Sequence, residues 1–207
     1  MASVKKKRLG DKFWLFLLAV IAGLGLVVGL GYSRLRTHTF HGTVVQSLDV
    51  APDFVLLNGD SGAVSLSDFR GKITLLFFGY TSCPDVCPAT LAEIARAMKN
   101  LDQMAEQVQF LMISVDPERD TPQIVGDFAR AFDPRFVGLS GTPQEIAAVA
   151  EKYGIYYAKA AGSQASGYMM EHTASLLVID QRGYLKLIYS FGTPAEEIAD
   201  DLAYLLR

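Results

Sequence analysis

Leu75-Leu76-Phe77-Phe78-Gly79-Tyr80-Thr81-Ser82-Cys83-Pro84-Asp85-Val86-Cys87-Pro88 holds both cysteines of this 207-residue chain. Its first part completes an apolar run from Lys72 to Phe78, the pattern of a strand covered on both faces. Gly79 stops the run and a short polar loop follows. Pro88 then suits the first turn of a helix, where a backbone N–H has no intrahelical partner to lose. Two thiols are therefore delivered where a strand ends and a helix begins. A helix N-terminus stabilises negative charge, which lowers a thiol's pKa and favours the thiolate, the form that attacks disulfides and binds metals. Two cysteines are too few for a disulfide framework, and at a spacing of four they point to redox or metal chemistry.

Downstream, Leu91, Ile94, Ala95, Met98 and Leu101 recur at helical spacing, predicting a helix through about Met104. Val108 to Val115 is a second buried strand, ending at Asp116-Pro117. Thr121-Pro122 and Thr142-Pro143 each supply a cap and a proline for a first turn, so helices are expected to about Phe132 and Tyr153, with a short strand at Phe136 to Leu139 between them. Residues 158–170, rich in Gly, Ala and Ser, read as a mobile loop. Two strands, Ala174 to Ile179 and Tyr184 to Tyr189, flank the turn Asp180-Gln181-Arg182-Gly183, and Thr193-Pro194 opens a last helix. Upstream, Phe54 to Leu57 and Ala63 to Leu66 flank Asn58-Gly59-Asp60-Ser61-Gly62, which suits a hairpin. Such alternation predicts an α/β fold, a mixed sheet flanked by helices, with a parallel part and an antiparallel edge. Its chemistry is expected at the carboxyl end of the strand Lys72 to Phe78.

The first fifty residues read differently. Lys5, Lys6, Lys7, Arg8 and Lys12 precede an uncharged run of twenty residues, Phe13 to Tyr32, long enough to span a bilayer. No small-x-small cleavage site follows it, since Tyr32, Arg34, Leu35 and Arg36 come next, so the run reads as an uncleaved transmembrane anchor rather than a removed signal. The excess of basic residues before the run places residues 1–12 in the cytoplasm and exports everything after the span. The N-terminus lacks the Arg- and Ser-rich character of a mitochondrial transit peptide. The expected location is therefore a bacterial inner membrane crossed once, with the domain in the periplasm, where disulfides persist. Residues 33–50 read as a tether, with His38 and His41 as solvated spacers rather than a metal clip, and residues 51–207 as the globular domain. A formal net charge of -3, with scattered charges, offers no basic face to nucleic acid.

Three stretches, in order, resemble the Sco/SenC family of copper chaperones: Phe77 to Pro88, then Ser114-Val115-Asp116-Pro117-Glu118-Arg119-Asp120-Thr121-Pro122, then Glu171-His172-Thr173 before a buried strand. The likeness covers roughly residues 50–207. It implies a membrane-anchored, thioredoxin-like domain that helps assemble the binuclear copper centre in subunit II of cytochrome c oxidase. It also implies Cys83, Cys87 and His172 as ligands of one copper ion, Cu(I) or Cu(II), and so a metallochaperone rather than an enzyme. Soft thiolates suit Cu(I), imidazole suits either state, and three donors leave room to hand the ion on. The chain departs from thioredoxin proper in two ways: its motif is C-x-x-x-C rather than C-x-x-C, and it has no proline between Pro143 and Pro194 to face the cysteines, His172 taking that approach.

A second reading makes Cys83 and Cys87 the catalytic pair of a thiol-disulfide oxidoreductase that reduces the copper-ligand cysteines of the oxidase subunit; a peroxidase with one low-pKa cysteine is a third. A periplasmic copper carrier or a thiol reductase is a further expected partner. Met169 and Met170 read as gap-fillers more than ligands, Asp85 as an exposed loop carboxylate, Asp116-Pro117 as a shaper of the neighbouring loop, and Tyr80 and Phe78 as core and site floor.

Overall fold

The computed structural model describes residues 10–34, 38–60, 62–162 and 167–207, with side chains of the first stretch described at 13–25. Two compact units divide the chain, one ending at Thr39 and the other running Phe40–Arg207. The first carries helix α1, Gly10–Arg34. Among the described residues no helix is long and apolar enough to cross a membrane. The basic cluster Lys5 to Arg8 lies outside the described residues.

In the second unit the elements follow as β1 (Thr43–Val44), β2 (Val55–Asn58), β3 (Ala63–Ser65), β4 (Ile73–Gly79), α2 (Val86–Asn100), β5 (Val108–Ser114), α3 (Pro122–Arg130), β6 (Val137–Ser140), α4 (Pro143–Lys152), β7 (Tyr157–Ala161), β8 (Tyr168–His172), β9 (Leu176–Ile179), β10 (Leu185–Tyr189) and α5 (Ala195–Leu205). Eight strands form one sheet in the order β1-β10-β9-β4-β5-β6-β2-β3. β4 pairs in parallel with β5, from Ile73↔Val108 to Gly79↔Ser114, and antiparallel with β9, from Thr74↔Ile179 to Phe77↔Leu176. All seven residues of β4 are buried, which is why its sequence lacks the alternation of a half-exposed strand. β4, β5 and β6 are the parallel part; antiparallel strands lie on both sides of them, not at one edge alone.

The caps form as expected. Thr121 Oγ1 accepts from the Ile124 N–H at 3.3 Å, and Thr142 and Glu145 make a reciprocal capping box at 2.7 and 3.2 Å, satisfying N–H groups that the first turn leaves open. α2 stops at Asn100, short of Met104, and a separate 3-10 stretch, Asp102–Gln107, follows. Asp102 there adopts φ 51°, a left-handed conformation that breaks the α-helix.

Two expectations are corrected. The tether does not reach residue 50: Phe40 already packs edge-on against Tyr204, ring centroids 5.5 Å apart, and β1 adds to the sheet through Thr43↔Ile188 and Val44↔Leu187. The buried Asp201 carboxylate holds this start by accepting the His41 and Gly42 N–H groups at 3.0 and 3.2 Å. Nor do residues 158–161 and 168–170 read as a loop in the structure. β7 and β8 pair antiparallel from Tyr157↔His172 to Ala161↔Tyr168, a two-stranded sheet apart from the main one. Small residues carry little strand preference of their own, and here five backbone pairings make the strands.

Candidate metal centre

Every strand neighbouring β4 bears on the site. Because β9 runs antiparallel to β4, the residues entering β9 arrive at the edge of the sheet where β4 ends. The cysteine loop and His172, 85 residues apart from Cys87, thus meet at one place. Tyr80 C=O accepts the Cys83 N–H at 3.3 Å, turning the chain. Cys87 is the second residue of α2, and its N–H points at Cys83 Sγ, 3.3 Å away. Cys87 is fully buried and Cys83 partly so; both are free thiols.

Gly79 makes room for the inner sulfur. A Cβ there would lie 2.9 Å from Cys87 Sγ and 2.7 Å from the Phe77 ring, closer than atoms pack. Beneath the loop, the buried Asp120 carboxylate accepts from Thr81 N–H at 2.9 Å, Thr81 Oγ1–H at 2.5 Å and Ser114 Oγ–H at 2.6 Å. Three donors satisfy the charge and fasten the chain two residues before Cys83. Asp120 and its partners have no role in the sequence reading; a serine closing an apolar strand, Ser114, is the signal that a buried acceptor stands opposite it.

His172 ends β8. Its Nδ1 lies 3.2 Å from the Thr173 carbonyl, an acceptor that fixes the proton on Nδ1 and leaves the Nε2 lone pair toward the sulfurs. Nε2 is 3.6 Å from Cys87 Sγ. The ring packs edge-on against Phe77 and Tyr80, centroids 6.1 and 5.8 Å away. Phe77 rather than Phe78 is therefore the site floor beside Tyr80; Phe78 turns to the opposite face, against Tyr153 at 6.0 Å.

The two Sγ atoms and one ring nitrogen all lie within 4.8 Å of one another. Cys83 and His172 line a cavity of about 220 Å³ with Tyr80, Pro84, Val86 and Met170 among others, and Cys87 lies buried behind them. The thiols are not alike. Cys83 is pushed down to about 3, first by the hydrogen bond it receives from Cys87 and also by the Cys87 and Asp85 N–H groups, against burial. Cys87 is pushed up by giving that hydrogen bond and by burial. The pair thus favours one thiolate on Cys83, with the proton kept on Cys87 beside it. Asp116 does not bond to the cysteines; its buried carboxylate takes Arg119 and the Tyr168 hydroxyl. His41 sits at the far margin of the domain near Asp200 and Glu197, outside this centre.

A thioredoxin-like domain in which two thiols and an imidazole converge at the end of the central strand defines a soft-metal or thiol-exchange centre. The SCO1/SenC family model matches residues 43–207, and the chain belongs to that family. A SCO2-like protein of Rickettsia felis is 31% identical over 188 residues, spanning 86% of this chain and 92% of the relative. The solution structure of apo Sco1 from Thermus thermophilus is 40% identical with a TM-score of 0.73, over 82% of this chain and 99% of that one. The copper-bound structure of Bradyrhizobium japonicum ScoI is 39% identical with a TM-score of 0.69, over 76% and 99%.

Proposed function

We propose that this protein carries one copper ion on Cys83, Cys87 and His172 and delivers it to the binuclear copper centre in subunit II of cytochrome c oxidase. The observation that carries the reading is the convergence of three soft or borderline donor atoms within 4.8 Å; the copper-bound relative and the family support it. Two sulfurs and one nitrogen suit Cu(I). Loading requires both thiols deprotonated and the imidazole neutral, so Cys87 must release its proton as the ion enters, and affinity falls with acidity. Copper here is cargo: among the described residues no fourth His, Cys or carboxylate joins the three donors, so a partner's ligand can approach from the cavity side and take it. Anaerobic titration of the reduced chain with Cu(I), read by X-ray absorption, is expected to give one copper with two sulfurs and one imidazole. A His172→Ala chain binding copper as tightly as the parent overturns the reading.

The same proposal places the domain outside a bacterial inner membrane, held by the uncharged run Phe13 to Tyr32 with residues 1–12 in the cytoplasm. Alkaline carbonate should leave the chain in the membrane fraction, and protease added to spheroplasts should degrade the domain; release by carbonate would refute the anchor.

One observation favours the oxidoreductase reading: the split between an accessible, acidic Cys83 and a buried, proton-holding Cys87 is that of an attacking and a resolving thiol. Under it His172 is dispensable, so oxidase assembly surviving His172→Ala, with loss in Cys83→Ser, would select it.

A further inference from the structure

The strand that bears His172 lies in the separate two-stranded sheet; the entry into β9 brings its end to the site, and a polar cluster on the segment after β5 grips its start. Tyr168, the first residue of β8, gives its hydroxyl to Asp116 Oδ1 at 2.6 Å. Arg119 lays its guanidinium 3.8 Å from the centre of the Tyr168 ring, donates Nη1–H to the Tyr168 carbonyl at 3.0 Å, and pairs with Asp116. The other strand is held too: Lys159 of β7 stands 4.6 Å from the same ring and binds Glu118 at 2.6 Å. Residues 116–119 directly follow β5, whose last residue Ser114 is in register with Gly79. They are thus fixed to the framework that holds the cysteines.

We propose that Asp116, Arg119 and Tyr168 are positioning residues that set the reach of His172 toward Cys83 and Cys87. Residues two apart along a strand share a face, so Tyr168 and His172 look to the same side of β8. Their Cα atoms are about 13 Å apart at the rise of an extended chain. A hairpin grasped at Tyr168 by side chain and carbonyl together has its far end aimed; one free to slide or tilt does not. Arg119 suits this work because its planar fork stacks on a ring and bonds two acceptors at once, which a lysine cannot. The cluster's directional bonds fix geometry, whereas a buried ion pair adds little stability over apolar packing.

This inference rests on the copper reading, and the experiment separates the two. Arg119→Lys and Tyr168→Phe would be compared with the parent and with His172→Ala, as full chains in detergent, by anaerobic Cu(I) competition and by imidazole scattering in the copper absorption spectrum. Each positioning variant is expected to bind copper about 10- to 100-fold more weakly, the usual effect of removing support from a metal-bound histidine, and to lose imidazole scattering. Tyr168→Phe keeps the ring and the charge pair, so it stands in should Arg119→Lys melt at the assay temperature. In a His172→Ala background neither substitution should weaken binding further. Full affinity and unchanged imidazole scattering in both variants would overturn the proposal, as would an equal loss with and without His172. If His172→Ala itself binds like the parent, the copper reading fails first and takes this inference with it.

Discussion

Gly79→Ala tests whether the centre depends on space at one atom. Gly79 is outside the left-handed residues of the chain, so alanine meets no backbone penalty and the effect is steric. The new methyl would stand 2.7 Å from Phe77 Cε1, 2.9 Å from Cys87 Sγ and 3.4 Å from Met112 Cε. Normal contacts begin near 3.5 Å, so the sulfur and the ring edge must each retreat by about 0.6 to 0.8 Å. Neither can do so freely, because Cys87 is buried in the first turn of α2 and Phe77 is wholly enclosed. Overpacking of this kind costs about 1–3 kcal/mol, which for a domain of this size lowers the melting temperature by roughly 2 to 12 °C. Moving Cys87 Sγ also disturbs its 3.6 Å approach to His172, so Cu(I) affinity should fall about tenfold, at the low end for a disturbed ligand shell. Thermal melts of the reduced metal-free chain and chelator competition measure the two effects. A variant that melts with the parent and binds copper equally would show that Gly79 holds no space for the sulfur.

At about pH 6 iodoacetamide should label Cys83 and spare Cys87 in the reduced chain, since only the former is thiolate below the ordinary thiol range. The sign for stability follows: a folded pKa held at about 3 gives a contribution present above the unfolded thiol's pKa and lost as pH falls toward 3. The parent should therefore gain on Cys83→Ser between about pH 4 and pH 8, and an equal pH profile would contradict the acidic thiol. Asp120→Asn replaces a three-donor acceptor by a group whose amide hydrogens face those donors. It should cost about 1–3 kcal/mol in urea unfolding; an unchanged midpoint would refute its role under the loop. A chain beginning at residue 51 loses the His41 and Gly42 donors to Asp201 and the β1 pairing. It should be less stable by about 2–5 kcal/mol than one beginning at Phe40, and equal stability would restore the longer tether.

Much of the frame could be read from the chain because its signals are local. The unbroken apolar run at β4, the Thr-Pro caps at 121 and 142, and the turn between β9 and β10 each announce themselves within a few residues. What escaped is held by distant partners. β7 and β8 pair with each other and meet Arg119 and Asp116, about fifty residues before Tyr168, and the small residues of β7 carry little strand signal. Thr43 and Val44 become a strand only because β10 and Asp201 lie ready for them. The choice between Phe77 and Phe78 cannot be made in a strand covered on both faces, since both parities are apolar. His172 is a special case: from spacing it is one histidine among three, and only the family resemblance singled it out, while the antiparallel entry into β9 explains how it reaches the sulfurs.

The outermost strands of the main sheet are its shortest, two residues in β1 and three in β3. At those two edges so little unpaired backbone gives a second copy almost nothing to template on. Crowded together, such domains can collide and separate along those edges without zipping into fibres, and the face that carries Cys83 and His172 stays free.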